Sequence, residues 1–291
     1  CTRMEIRNQI IGREQALVLV EAMRENDSVE SVVLSGNKID EDVMSILKDL
    51  FENANNLKDI EISDNPLRDS GVRTLARALE NNQVLDSLTL SGVLMAKEGL
   101  AAVVELISES LALVFADLSQ NDFSDETTTE IYELMLIPHL QTLRLNDNSI
   151  NAQVFENVFQ ELLTATAEKN VLVAHPTPKK IDLRGNSIGD LVMATFAEYI
   201  KAAPTTFEAV ILSEVNLGMV DENDIGVEYL VSALKHQEIK ELSLANNSIR
   251  DSSAENLVEN IFKNSFLERL NLSGNSFSER GIQTIIEGLY G

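Results

Sequence analysis

The sequence predicts an α/β fold: a right-handed solenoid horseshoe of about ten coils, with parallel strands on the concave face and helices on the convex face. Three observations carry that prediction. One pattern, L-x-x-L-x-L-x-x-N-x-L, recurs along essentially all 291 residues. Its inner apolar positions alternate with polar ones, the period of a strand buried on one side. The segment that follows carries apolar residues at i, i+3, i+4 and i+7, the period of a helix.

Five copies are clearest: VESVVLSGNKI from Val29, LKDIEISDNPL from Leu57, LQTLRLNDNSI from Leu140, IKELSLANNSI from Ile239 and LERLNLSGNSF from Leu267. In register, the repeats start at 1, 29, 57, 85, 113, 140, 178, 207, 239 and 267, in steps of 28, 28, 28, 28, 27, 38, 29, 32 and 28. The first copy is poor in wording but keeps the spacing, with Cys1, Met4, Ile6, Gln9 and Ile11 on the key positions. Such a period marks a solenoid, in which each coil buries its apolar side only against its neighbours. The expectation is one domain over 1–291. The register begins at Cys1 rather than at a Met, so the chain reads as a fragment of a longer one.

Each position has a job. Position six reads Ile6, Leu34, Ile62, Leu90, Leu118, Leu145, Leu183, Leu212, Leu244 and Leu272, and position four is equally apolar. Position nine is Asn at 37, 65, 121, 148, 186, 247 and 275. Its amide suits a turn leaving the strand, where it can bond backbone groups that the bend leaves unpaired. Gln9, Val93 and Val215 depart from this. Valine supplies no such bonds, so the loops at 93 and 215 are expected to be looser or rebuilt. The helix in GVRTLARALENN puts Val72, Leu75, Ala76 and Leu79 on one face, and segments from Gly99 and Glu255 repeat the idea. Helices are wider than strands, so the stack bends with its helices outside.

These copies resemble the ribonuclease-inhibitor type of leucine-rich repeat, with its 28–29-residue period, N-x-[LI] turn and helical convex side. LERLNLSGNSFSERGIQTIIEGL shows the whole consensus, and the glycine at its helix start, Gly281, has counterparts in Gly71 and Gly99. The resemblance covers nearly the whole chain. It implies the fold but not one function, because inhibitors, immune sensors, cytoskeletal regulators, bacterial effectors and GTPase activators share it.

Composition narrows the classes. Lys and Arg total 23 against 47 Asp and Glu, a net charge of −24, which argues against nucleic acid and anionic lipid and suits a basic partner. A single Cys excludes an intrachain disulfide framework and a Cys-based zinc site, and is consistent with a reducing, cytoplasmic setting. No apolar stretch approaches the length of a membrane span, and no leader sequence opens the chain. The three histidines, His139, His175 and His236, are spread along the solenoid, so no catalytic or metal triad is expected. Asp221, Asn223 and Gly226 resemble part of a calcium loop, but Ile225 and Ser232 occupy ligand slots and no metal is assigned. No cofactor is expected.

The long step after residue 140 places an insertion over 164–178, where Val171 and Val173 are expected exposed beside His175 and the adjoining Lys179, read as a surface loop or a partner-binding protrusion. The remaining information lies on the strands, whose positions three, five, seven and eight face the concavity or its rim. Asp59, Glu61, Asp64 and Asp86 precede Asp117, while Lys180 and Arg184 follow Arg144. Arg144 is expected one strand from both Asp117 and Asp182, with Phe115 exposed among them and Val33 and Ile211 as further exposed apolar points. An aromatic beside charges is the make-up of an interaction hot spot. The reading is a non-enzymatic module, a scaffold that grips another protein through Asp59, Glu61, Asp86, Phe115, Asp117, Arg144, Lys180, Asp182 and Arg184. A charge ladder satisfied within the fold is the plainer account. The alternative is a GTPase activator resembling the Ran-specific leucine-rich-repeat family, for which Arg68 would be the activating arginine.

Overall fold

The computed structural model describes residues 2–24, 26, 28–123, 125–167, 178–203, 207–219 and 224–290. The predicted Cys1, Val171, Val173, His175, Asp221 and Asn223 lie outside the described residues. Contacts divide the chain into two compact units, Cys1–Asn148 and Ser149–Gly291. The boundary falls inside the sixth repeat, between its strand and its helix.

In the first unit, strands β1 (Arg3–Glu5), β2 (Ser31–Val33), β3 (Asp59–Glu61), β4 (Ser87–Thr89), β5 (Phe115–Asp117) and β6 (Thr142–Arg144) pair in chain order. Every pairing is parallel and in repeat register, so position five of one coil lies beside position five of the next. Helices α1 (Arg13–Met23), α2 (Glu41–Glu52), α3 (Arg68–Ala78), α4 (Lys97–Glu109) and α5 (Thr128–Leu136) connect the strands, each packing on its neighbour. The second unit holds α6 (Ala152–Ala167), β7 (Lys180–Asp182), α7 (Gly189–Ala202), β8 (Ala209–Ile211), α8 (Ile225–Leu234), β9 (Glu241–Ser243), α9 (Ala254–Asn260), β10 (Arg269–Asn271) and α10 (Glu279–Tyr290). Its strands are again parallel and in order.

The core follows the sequence pattern. Positions four and six are buried from Val32 to Leu244, and Val72, Leu75 and Ala76 of α3 are buried together with Leu79, which caps its C-terminal end. Three-residue strands offer few ladder bonds, so the turns after them matter as much as the strands. Position eight is left-handed in all ten repeats, with φ from 53° to 71°. Four of these residues are glycine, for which that conformation carries no steric cost.

The asparagines hold each turn to the one before it. Asn65 Oδ1 accepts N–H bonds from Asn37 and Ile39 of the preceding coil, at 3.0 and 2.9 Å. Its Nδ2 donates to the carbonyls of Leu34, Ile62 and Ser63. Asn121 and Asn247 repeat the arrangement.

This directionality corrects the expectation for Val93 and Val215. Neither turn is loosened: both valines are buried, and their N–H groups donate to Asn121 and Asn247 of the following coil. The missing amide is felt one coil earlier. There the chain bends at position twelve, where Arg68 (φ 54°) and Gly189 (φ 75°) are left-handed. Their N–H groups donate to the backbone carbonyls of Val93 and Val215, at 3.0 and 2.8 Å. Glycine adopts this conformation freely, whereas a residue with a Cβ is strained by about 1 kcal/mol. Arg68→Gly is therefore expected to raise stability by up to about 1 kcal/mol, read as a higher denaturant midpoint. A lower midpoint would mean the arginine side chain contributes more than the strain removes.

A second set of buried or half-buried acids explains the helix-start glycines. The α4 N-cap, Ala96, has no capping side chain. Asp69 of the preceding coil supplies one, accepting the N–H groups of Ala96 and Gly99 at 2.7 and 2.9 Å. A Cβ on Gly99 would stand 2.6 Å from that carboxylate oxygen. Asp251 likewise accepts from Ser278, which holds its carboxyl below the ordinary aspartate range. It sits where a side chain on Gly281 would have to go.

Candidate protein-binding site

Parallel register places Asp117 of β5 directly beside Arg144 of β6, with Phe115 two residues before Asp117 on the same face. The Arg144 guanidinium lies 3.2 Å from Asp117 Oδ2 and sits 5.3 Å from the centre of the Phe115 ring. Asp117 is itself fixed, accepting from the Ser119 backbone N–H at 3.1 Å and the Ser119 hydroxyl at 2.5 Å. The result is a flat cation held on two sides while its own side chain stays 48% exposed. Phe115 is half-buried rather than exposed as expected, because the guanidinium covers part of the ring.

Glu61 belongs to a different arrangement, one in which the sequence reading missed a participant. Arg7 forks onto Glu61 at 2.6 and 2.8 Å and donates to Glu5 through Nε at 2.7 Å. Ser35 also donates to Glu61. Val33 lies between Glu5 and Glu61 in the pairing register, so the arginine bridge passes over it. That corrects the expectation of an exposed apolar point: Val33 is fully buried. Ile211 is half-buried. Arg7 could have been found by asking which cation reaches position five from two strands away.

The Arg7 guanidinium holds the Glu61 carboxyl below the ordinary glutamate range. A carboxyl with a lowered folded-state pKa stabilises the fold above its unfolded pKa, and that stabilisation fades as pH falls through the lowered value. Wild type should therefore lose more stability than Arg7→Met between about pH 5 and pH 3 in paired denaturation curves. Parallel curves for the two proteins would show that the bridge is too solvated to matter.

The other predicted residues fall into two groups. Asp59 accepts from the Ser31 hydroxyl at 2.7 Å, and Asp86 is exposed. Neither has an ion-pair partner among the described residues, and both lie on the β3–β4 side of the cluster. Lys180, Asp182 and Arg184 stand on the second unit, where the Arg184 backbone N–H donates to Asp182 at 3.0 Å and the guanidinium lies 3.9 Å from it. The expected pairing of Arg144 with Asp117 is met within the first unit, and within the second unit Arg184 lies beside Asp182. Arg68 is exposed and enters no ion pair among the described residues, and the gap at Val93 accounts for its backbone. His139 is structural: its Nε2 lies 2.8 Å from the Ile107 carbonyl. Among the described residues, no group of His, Cys, Asp or Glu could hold a metal ion, and no helix is long and apolar enough to cross a membrane.

Repeats with one parallel strand, an asparagine-pinned turn and one helix define an α/β repeat protein whose strand face carries the polar information. Residues 53–76 and 263–285 match the family model of the leucine-rich repeat. The pig (Sus scrofa) ribonuclease inhibitor is 21% identical over 294 residues, covering 90% of this chain and 61% of that protein. The mouse (Mus musculus) ribonuclease inhibitor is 24% identical over 260 residues, covering 80% and 55%. Among solved structures, leiomodin-1 actin-binding site 2 is 13% identical with a TM-score of 0.40, over 58% of this chain and 87% of that one. This chain is a leucine-rich-repeat protein with repeats of the ribonuclease-inhibitor type. It spans 61% and 55% of the length of the two inhibitors it resembles.

Proposed function

We propose that the chain is a non-enzymatic protein-binding module that holds a partner protein on its strand face. A single domain over 1–291 in a cytoplasmic setting belongs to the same proposal. The observation that carries it is the Phe115–Asp117–Arg144 cluster, an aromatic and a guanidinium already held in place on a strand face. Preorganised groups lose little freedom on binding, which is why aromatic and arginine side chains dominate binding energies. Asp59 and Asp86 beside it would receive lysine or arginine from the partner, and the net charge of −24 would steer a basic protein toward it. Glu61 is not offered as a contact, since Arg7 already occupies its carboxylate. Lys180, Asp182 and Arg184 are proposed as partner contacts of the second unit taken by itself. Leucine-rich-repeat proteins of this type are generally non-catalytic. A GTPase-activating role would rest on Arg68, whose unusual backbone has a structural cause at Val93.

The test is affinity capture from lysate with mass spectrometry, comparing wild type with Phe115→Ala/Arg144→Ala at matched circular dichroism. A protein retained by wild type and lost from the variant supports the strand face. Equal retention by both overturns it.

A further inference from the structure

The helix side of the first unit carries a second candidate surface, separate from the strand face. The cause is a difference in helix length. Helix α4 has 13 residues, but α5 has only nine, preceded by a single 3-10 turn at Asp125–Thr127. At about 1.5 Å per residue, α5 is shorter by roughly 6 Å. Pro138 follows Ile137, and the residue before a proline is pushed out of helical conformation, so α5 cannot extend to fill the gap. What remains is a groove of about 810 Å³ between the two helices.

Its floor is apolar, with Val104 of α4, Leu136 of α5, and Pro138. At one end stands Leu111, 72% exposed although it lies in the turn directly after α4. Its rim is acidic. Glu105 and Glu133 line it from opposite helices, both exposed, and neither makes an ion pair among the described residues. The rim imidazole, His139, is bonded to the Ile107 carbonyl, and among the described residues it makes no ion pair with either carboxylate. Arg73 and Arg77 border a neighbouring groove that Glu105 also lines, yet form no ion pair with it.

We propose that this groove docks a short partner segment bearing a leucine-type side chain flanked by lysine or arginine. The aliphatic side chain would cover Leu111 and Val104, and the flanking cations would meet Glu105 and Glu133. Charge complementarity selects this occupant: an acidic or uncharged segment would leave two carboxylates facing it without compensation.

The probe is a fluorescent twelve-residue peptide of alternating leucine and lysine pairs, titrated by anisotropy at about 0.15 M salt, where long-range attraction is screened. The variants are Leu111→Ser and Glu105→Gln/Glu133→Gln. A control, Glu228→Gln/Glu259→Gln on the second unit, removes the same charge from exposed sites elsewhere. The expected result is at least tenfold weaker binding by each groove variant and less than twofold change in the control. A peptide with glutamate in place of lysine should not bind. Equal weakening by groove and control variants would overturn the proposal, because attraction would then follow net charge alone. So would unchanged affinity in Leu111→Ser, or no binding to wild type. Phe115→Ala/Arg144→Ala should bind the peptide normally, separating this surface from the strand face.

Discussion

Asn121→Ala is expected to destabilise the first unit by about 3–5 kcal/mol, since two buried N–H groups, those of Val93 and Met95, lose their acceptor. Three carbonyls, of Leu90, Leu118 and Ser119, lose a donor at the same time. Each orphaned buried group costs about 1–3 kcal/mol, and the alanine leaves little that could replace them. The neighbouring turn is already short of one amide, at Val93 itself. Asn121→Asp keeps the acceptor and loses the donor, so it should fall between wild type and alanine. Urea denaturation of the three proteins checks the order. A loss below about 1 kcal/mol for alanine would mean that water replaces the side chain, and that the asparagine ladder is not what holds the turns.

Gly226→Ala is the second large effect, expected at about 2–3 kcal/mol in the second unit. A Cβ there would stand 2.6 Å from Asp190 Oδ1 and 2.7 Å from Asp190 Cα. The second distance decides the matter, because backbone cannot rotate away as a side-chain tip can. Asp190 is itself buried and accepts the Gly218 N–H at 3.0 Å, so moving it breaks a buried bond. The same exchange at Gly189, where a Cβ would meet nothing within 4 Å, should cost only the strain of its left-handed backbone, about 1–2 kcal/mol. Thermal unfolding of the two variants distinguishes crowding from strain: similar losses would contradict the packing argument.

The fold was legible because a repeat states its own register. Positions four and six alternate without a polar interruption, and ten copies make the period plain, so strand order, parallel pairing and the buried rows follow. What the pattern could not show was which coil depends on which asparagine. The side chain reaches backward, so a valine at 93 is felt at Arg68, and only three-dimensional stacking reveals that direction. The site was legible in part for a related reason. Contacts between adjacent strands, such as Arg144 with Asp117, follow from register alone. Arg7 and Glu61 are two strands apart, and their meeting depends on side-chain reach over Val33, which spacing does not report. The helix-side groove had no motif at all, because it arises from the shortness of one helix.

These contacts also decide how the strand face should be probed. Asp117 is 8% exposed and accepts two bonds from Ser119, so a lysine there would bury an unpaired ammonium and unfold the coil rather than report on binding. Truncating the exposed members of the cluster avoids that. The decisive measurement is calorimetric titration of the captured partner into wild type, Phe115→Ala, Arg144→Ala and Leu111→Ser, each with a native circular dichroism spectrum. Strand-face binding predicts that the first two variants each lose about tenfold or more in affinity, close to 1.4 kcal/mol, while Leu111→Ser is unchanged. Full affinity in both Phe115→Ala and Arg144→Ala would contradict it.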